Sequence, residues 1–212
     1  MADNFLGNKM EEHLARQQHS KAAKTTRSFN QLVLENRSYR AFDKSFEVNE
    51  HHLRRMLEVC NKIPSARNQQ VLRYRMVWGE EAEKLNAFIR LGGALPELNL
   101  PAPGTEPSAY IIICSKVEES RYVSVDLGIA AQTILLKAAD MGLNGIRIGA
   151  FNKAAVTETL ALPCEPLLLL GIGKGAEKIV LRDIEAGEPQ NYYREEGVHV
   201  VPKLRLEDLL IH

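Results

Sequence analysis

Charge of one sign is missing from this sequence. Its 212 residues carry 27 Lys and Arg against 27 Asp and Glu, a formal net charge of zero. No global field pulls such a chain towards nucleic acid or an anionic membrane, and near-zero charge does little to oppose self-association. Cysteine is scarce: Cys60, Cys114 and Cys164 lie far apart and form no C-x-x-C. Their apolar settings, "MLEVC", "IIIC" and "LPCEPL", predict buried thiols in a reducing compartment, not a disulfide framework. The opening "MADNFLGNKMEEHLARQQHSKAAK" lacks the apolar stretch of a secretory signal. The longest apolar run, "PLLLLGIG", is far too short to span a bilayer. The expectation is a soluble, cytoplasmic protein with no nucleic-acid or membrane partner.

Common catalytic motifs are missing too. His51 and His52 are neighbours and would point apart on a helix, while His13 and His19 lie in a charged segment. No pair has metal-ligand spacing with a carboxylate or thiolate beside it, so no metal is assigned. There is no G-x-S-x-G, and the cysteines have no readable histidine partner. "GIGKGA" (171–176) is spaced G-x-G-x-G, and "EKIVLRDIE" after it reads as strand or loop. It fits neither a dinucleotide fingerprint nor a phosphate loop, and a strand-ending turn is expected. An enzyme without its own nucleophile or acid–base pair would borrow its chemistry from a cofactor.

The composition, 45% hydrophobic, can bury a core. Residues 1–27 are polar and predict an exposed helical extension. Helical periodicity covers 28–36 and 50–62, where Leu53, Met56, Leu57 and Cys60 share a face. "YRMVW" (74–78) reads as a strand and "EEAEKLNAFIRL" as a helix. "AYIIIC" (109–114) reads as a buried strand. "DLGIAAQTILLKAADMGL" (126–143) is apolar around nearly its whole circumference and should be a central helix. "KAAVTETLAL" (153–162) is a short helix, "PLLLLGIGK" (166–174) a buried strand and "RLEDLL" a last helical turn. Between them, residues 92–108 hold three Gly and four Pro and predict a loop, either a lid or a connector. The elements mix without strict alternation, which predicts an α+β fold: a sheet of about four to five strands with helices on its faces.

In "NRSYRAF" (36–42) Arg37, Ser38 and Arg40 crowd one turn, for which a bound anion and a solvated surface are both open readings. With it come "PSARNQQ" (64–70), the Asp-x-Gly-x-Ala-x-Gln pattern of residues 126–132, "GLNGIRIGAF" (142–151) and "PKLRLEDL" (202–209). Their order and spacing over residues 28–212 resemble the nitroreductase family of FMN-dependent oxidoreductases. The resemblance implies a homodimer with a central, mostly antiparallel sheet. It also implies FMN as cofactor and NAD(P)H as co-substrate in a ping-pong cycle that reduces a nitroaromatic, a quinone or a similar electron-poor small molecule. Relatives that dehalogenate or dehydrogenate, and a non-catalytic flavin-binding protein, are the alternatives. No side chain is assigned a catalytic role, since the family's chemistry sits on the flavin N5.

By that resemblance Arg37, Ser38, Lys203 and Arg205 would hold the flavin phosphate, where guanidinium groups suit a multiply charged acceptor. Arg40 would face the pyrimidine edge of the ring. Pro64, Ser65, Ala66 and Asn68 would approach from the other subunit. Gln132 would hydrogen-bond from the central helix, and Ile148 and Gly149 would line the ring. Two departures stand out: Asn36 occupies the place of a frequent first arginine, and Val71-Leu72 replaces a usual Pro-Trp.

Overall fold

The computed structural model describes residues 27–211. The polar extension expected over 1–27 therefore lies, apart from Arg27, outside the described residues. The elements follow in chain order: α1 Phe29–Glu35, β1 Phe42–Asp43, α2 Glu50–Leu57, β2 Leu72–Trp78, α3 Glu80–Leu85, β3 Ala109–Ser115, α4 Arg121–Asp140, β4 Asn144–Ile148, α5 Lys153–Leu160, β5 Glu165–Gly175, β6 Lys178–Ile184, β7 Tyr193–Glu195 and β8 Val198–Leu204. Capping boxes start the first two helices, Ser28 with Gln31 and Asn49 with His52. His52 is thus a capping residue whose ring accepts the Asn49 N–H.

The main sheet runs β2-β3-β5-β4, with β1 added to the end of β5, and every pair is antiparallel. All seven residues of β3 are buried. Tyr110, Ile112 and Cys114 join one apolar layer with Leu85, Ile89 and Val156 from the α3 and α5 side. Ala109, Ile111 and Ile113 join the other with Leu53, Met56, Ile134 and Ala138 from α2 and α4. A strand covered on both faces has no polar side to show, hence the unbroken apolar run. Helix α4 has the length and hydropathy of a membrane-spanning helix. Its Ala130, Ala131, Ile134, Ala138 and Ala139 are, however, buried in this α+β core.

The "GIGKG" segment does not turn, contrary to expectation, but continues β5 to Gly175. The glycines are required by close approach. A Cβ at Gly171 would meet the Pro107 side chain at 2.7 Å, at Gly173 the Phe42 ring at 2.7 Å and at Gly175 the Tyr39 ring at 2.3 Å. One face of the strand is thus a bed for the chain around residues 39–42. The helix expected over 80–91 is also shorter, because Ile89 bridges Phe151 and Leu91 bridges Leu100. A separate three-stranded sheet follows, with β6 parallel to β8 and β8 antiparallel to β7.

Candidate active site

The turn after α1 is built by hydrogen bonds. Asn36 donates its N–H to Leu32 O at the helix end. Arg37 then closes that end, its guanidinium donating to Val33 O at 2.6 Å and Asn36 O at 2.8 Å, a favourable place for a cation. Ser38 forms a parallel bridge with Gly145, and Tyr39 N–H donates to Gly145 O. A Cβ on Gly145 would come within 2.5 Å of the Leu135 side chain, so glycine is needed in this crowded part of β4.

Arg40 is 8% exposed. Its Nη1 donates to Ser38 O at 2.9 Å and contacts His199 Nε2 at 3.0 Å. Its guanidinium lies 4.3 Å from the centre of the Tyr192 ring, and its backbone N–H donates to the Glu177 carboxylate. Arg40 Nε is buried and has no partner. A buried donor left unpaired costs roughly 1–3 kcal/mol, and a bound acceptor would remove that cost.

A cavity of about 220 Å³ opens beside this turn, lined among others by Ser38, Arg40, Arg90, Arg147, Ile148, Gly149 and Tyr192. Among the described residues, three arginines and no carboxylate line it. Arg90 arrives because its N–H donates to Ala150 O while Asn152 N–H donates to Phe88 O. Arg147 projects from β4 and donates to Gln132 Oε1 at 2.7 Å. Burial and then the neighbouring Arg147 charge lower the pKa of Arg37. A concentration of cations without carboxylates suits an anion.

The "PSARNQQ" segment does not line this cavity. Pro64, Ser65 and Asn68 line a cavity of about 540 Å³, and Pro64, Ser65 and Ala66 one of about 520 Å³. Asp126 borders both. Arg67, Asn68 and Gln70 all have positive φ, at 52°, 52° and 45°. Such strain persists only where surrounding contacts impose it. Here the Asp126 carboxylate, 3% exposed, accepts the Ala66 N–H at 2.8 Å and the Gln69 amide at 3.2 Å. Val71 and Leu72, in place of the Pro-Trp pattern, lead straight into β2: Val71 O accepts the Lys116 N–H and Leu72 pairs with Ser115.

The expected site residues therefore divide. Ser38, Arg40, Ile148 and Gly149 meet in one cavity; Pro64, Ser65, Ala66 and Asn68 line the other two. Gln132 orients Arg147, and Arg37 caps α1. Lys203 is exposed on β8, and Arg205 pairs with Glu185 at 2.8 Å with its side chain 53% exposed. Neither is among the residues lining the arginine-rich cavity. An exposed ion pair of this kind is weak and readily exchanged.

Arg90, Arg147, Tyr192, His199 and Asp126 were not singled out by sequence. Arg147 and Asp126 lay inside recognised segments, where side-chain direction was the missing information. Burial pushes the Cys60 thiol up to about 11 and, with Cys164 beside it, Cys114 up to about 12. Neither is a thiolate at neutral pH. Of the three cysteines only Cys114 is fully buried.

The fold has known counterparts. A nitroreductase family protein from Streptococcus pneumoniae TIGR4 superposes with a TM-score of 0.58 at 19% identity over 71% of this chain and 92% of the other. A candidate nitroreductase from Exiguobacterium sibiricum, solved in complex with FMN, gives 0.59 at 19% identity, over 71% and 90%. The FMN and NADPH-dependent nitroreductase NfnB from Sphigopyxis sp. strain HMH gives 0.57 at 18%, over 70% and 89%. At these identities the likeness is one of fold. In sequence, a candidate nitroreductase of Methanocaldococcus jannaschii is 37% identical over 57 residues, which is 27% of this chain and 29% of that relative. The pattern defining the Nitroreductase family matches residues 33–174, from the end of α1 through the 37–40 turn and the 64–70 segment to the glycines of β5. On that match and that architecture, the chain belongs to the nitroreductase family.

Proposed function

We propose that this protein is an FMN-dependent oxidoreductase that draws on NAD(P)H and reduces an electron-poor small molecule such as a nitroaromatic or a quinone. The observation that carries the reading is the cavity wall holding Arg40, Arg90, Arg147, Ser38 and Gly149 with no carboxylate. That local excess of cations suits an anionic, acceptor-rich occupant. A flavin mononucleotide has both features, a phosphate and ring carbonyls. Arg147 and Ser38 would hold charged or acceptor oxygens, and the Arg40 charge would face them. Arg37, Lys203 and Arg205 are further phosphate candidates, with Arg205 exchanging Glu185 for it. Ile148 and Gly149 would form the wall beside the ring. Bound FMN would supply hydride acceptance and release, so the chain needs no nucleophile of its own.

The cavity of about 220 Å³ is smaller than the ~300 Å³ at which ligand sites begin. A second copy would complete it, bringing Pro64, Ser65, Ala66 and Asn68 to the arginine-rich wall. Tyr122 and Val125, 52% and 51% exposed beside Ala66, offer apolar surface for that contact. The free thiols suit a reducing, cytoplasmic setting.

The test is an absorption spectrum of the purified full chain before and after NADH or NADPH, with identification of any flavin released by heat. The expected result is about one FMN per chain, bleached by a nicotinamide, in a dimer by light scattering. Parallel double-reciprocal plots would fit the ping-pong pattern. Failure to take up FMN on reconstitution would overturn the reading.

A further inference from the structure

His199 lies on β8, outside every segment used above to infer the function, yet it is 2% exposed and touches Arg40. A guanidinium only donates, so at 3.0 Å His199 Nε2 must be the acceptor. A neutral imidazole has one N–H, which then sits on Nδ1. That nitrogen is buried without a partner, as is Arg40 Nε. Tyr192, just before β7, stacks on the same guanidinium and packs on His199 with ring centres 5.1 Å apart. Glu177, whose side chain is 4% exposed, accepts the Arg40 backbone N–H and pairs with Arg194 at 2.7 Å. The small second sheet and its flanks thus grip Arg40 from several directions.

The chemistry of this grip is unusual. Buried arginines are ordinarily matched by a carboxylate, which fixes and neutralises them together. Here the acceptors of the Arg40 side chain are a backbone carbonyl and an uncharged imidazole, and the carboxylate of Glu177 is spent on Arg194 and on the Arg40 backbone. The guanidinium is therefore held in place with its charge intact. We propose that His199 is a positioning residue that fixes the Arg40 guanidinium without neutralising it, so that its charge is presented to the cofactor cavity. This role rests on the FMN reading above. Burial, followed by the Arg40 and Arg194 charges, lowers the His199 pKa to about 4, which keeps the ring an acceptor at neutral pH.

Three replacements separate positioning from packing. His199→Gln keeps a neutral acceptor, His199→Leu removes it, and His199→Glu keeps an acceptor but cancels the charge. The readouts are FMN dissociation constant, reduction potential of bound FMN and thermal unfolding. A cation at the pyrimidine edge favours the reduced, anionic flavin. His199→Glu should therefore cut the preference for reduced over oxidised FMN by about tenfold, a potential lower by roughly 30 mV for a two-electron couple. His199→Leu should lower it in the same direction and His199→Gln should restore it. Arg40→Gln sets the full size of the effect. In the wild-type protein, nitrogen-15 NMR should show the proton on Nδ1 at neutral pH, a measurement that needs no variant to fold. Unchanged potentials in the Glu and Leu variants while Arg40→Gln shifts it, or a proton found on Nε2, would overturn the role and leave the FMN reading standing. If Arg40→Gln leaves the potential unmoved, the role is likewise overturned. If the wild-type protein takes up no FMN, both fall together.

Discussion

The turn at residues 37–40 and the segment at 64–70 are held by different means. The turn at residues 37–40 is tied to four elements: Arg37 to α1, Ser38 and Tyr39 to β4, the Tyr39 ring to β5, and Arg40 to β8. The 64–70 segment carries three positive-φ residues and is held by the buried Asp126 carboxylate, by Arg73 donating to Gln70 O and by Arg67 over the Tyr122 ring. Redundant anchoring spreads the cost of a change. Asp126 concentrates it, since losing this carboxylate removes two hydrogen bonds, to the Ala66 N–H and the Gln69 amide, and loosens a strained loop at once.

Asp126→Ala should therefore produce the largest effect. We expect a loss of about 3 kcal/mol in urea unfolding, together with faster amide exchange at Ala66–Gln70. An undisturbed loop would mean that its strain is imposed by other contacts. Gly175→Ala attacks the 37–40 turn. Its new Cβ would fall 2.3 Å from the Tyr39 ring, and overpacking of this kind costs roughly 1–3 kcal/mol. Because the turn has other anchors, the Arg40–His199 contact should survive, as read by the His199 NMR signal.

A pH titration comes next. The folded His199 titrates at about 4, below its ordinary 6.5. The unfolded chain therefore takes up this proton first. The associated stability is present above pH 6.5 and is lost as pH falls towards 4, by on the order of 3 kcal/mol. His199→Gln should flatten that part of the profile. The smallest change should come from Arg205→Gln. Its ion pair with Glu185 is exposed, so thermal stability should shift by less than about 1 kcal/mol. A larger drop in FMN affinity than in stability would assign Arg205 to phosphate binding.

Much of the fold was legible in local pattern. "AYIIIC" and "PLLLLGIGK" became the buried strands β3 and β5, and the all-round apolar stretch became α4. The errors arose where distant contacts overrode local preference. "GIGKG" looked like a turn because three glycines in five residues favour one; packing of Pro107, Phe42 and Tyr39 made it a strand. The helix over 80–91 stopped early because Ile89 and Leu91 found bridging partners elsewhere in the chain. Around the turn, the residue types of 36–42 left a bound anion and a solvated surface both open. They could not show that Arg37 would cap a helix while Arg40 entered the cavity wall.

The sequence by itself determined the α+β architecture and the family. Periodicity and ordered motifs are local properties, and local sterics and burial patterns act on them directly. Tertiary structure alone decided which charges became matched. Arg205 found Glu185 on the surface, Asp126 found the backbone of a strained loop, and Arg40 found a neutral histidine 159 residues away. The balance of 27 against 27 is a global sum. An unmatched cation at one cavity wall arises only when folding fixes which groups lie within reach of each other, because electrostatic interaction depends on distance and burial and not on position along the chain.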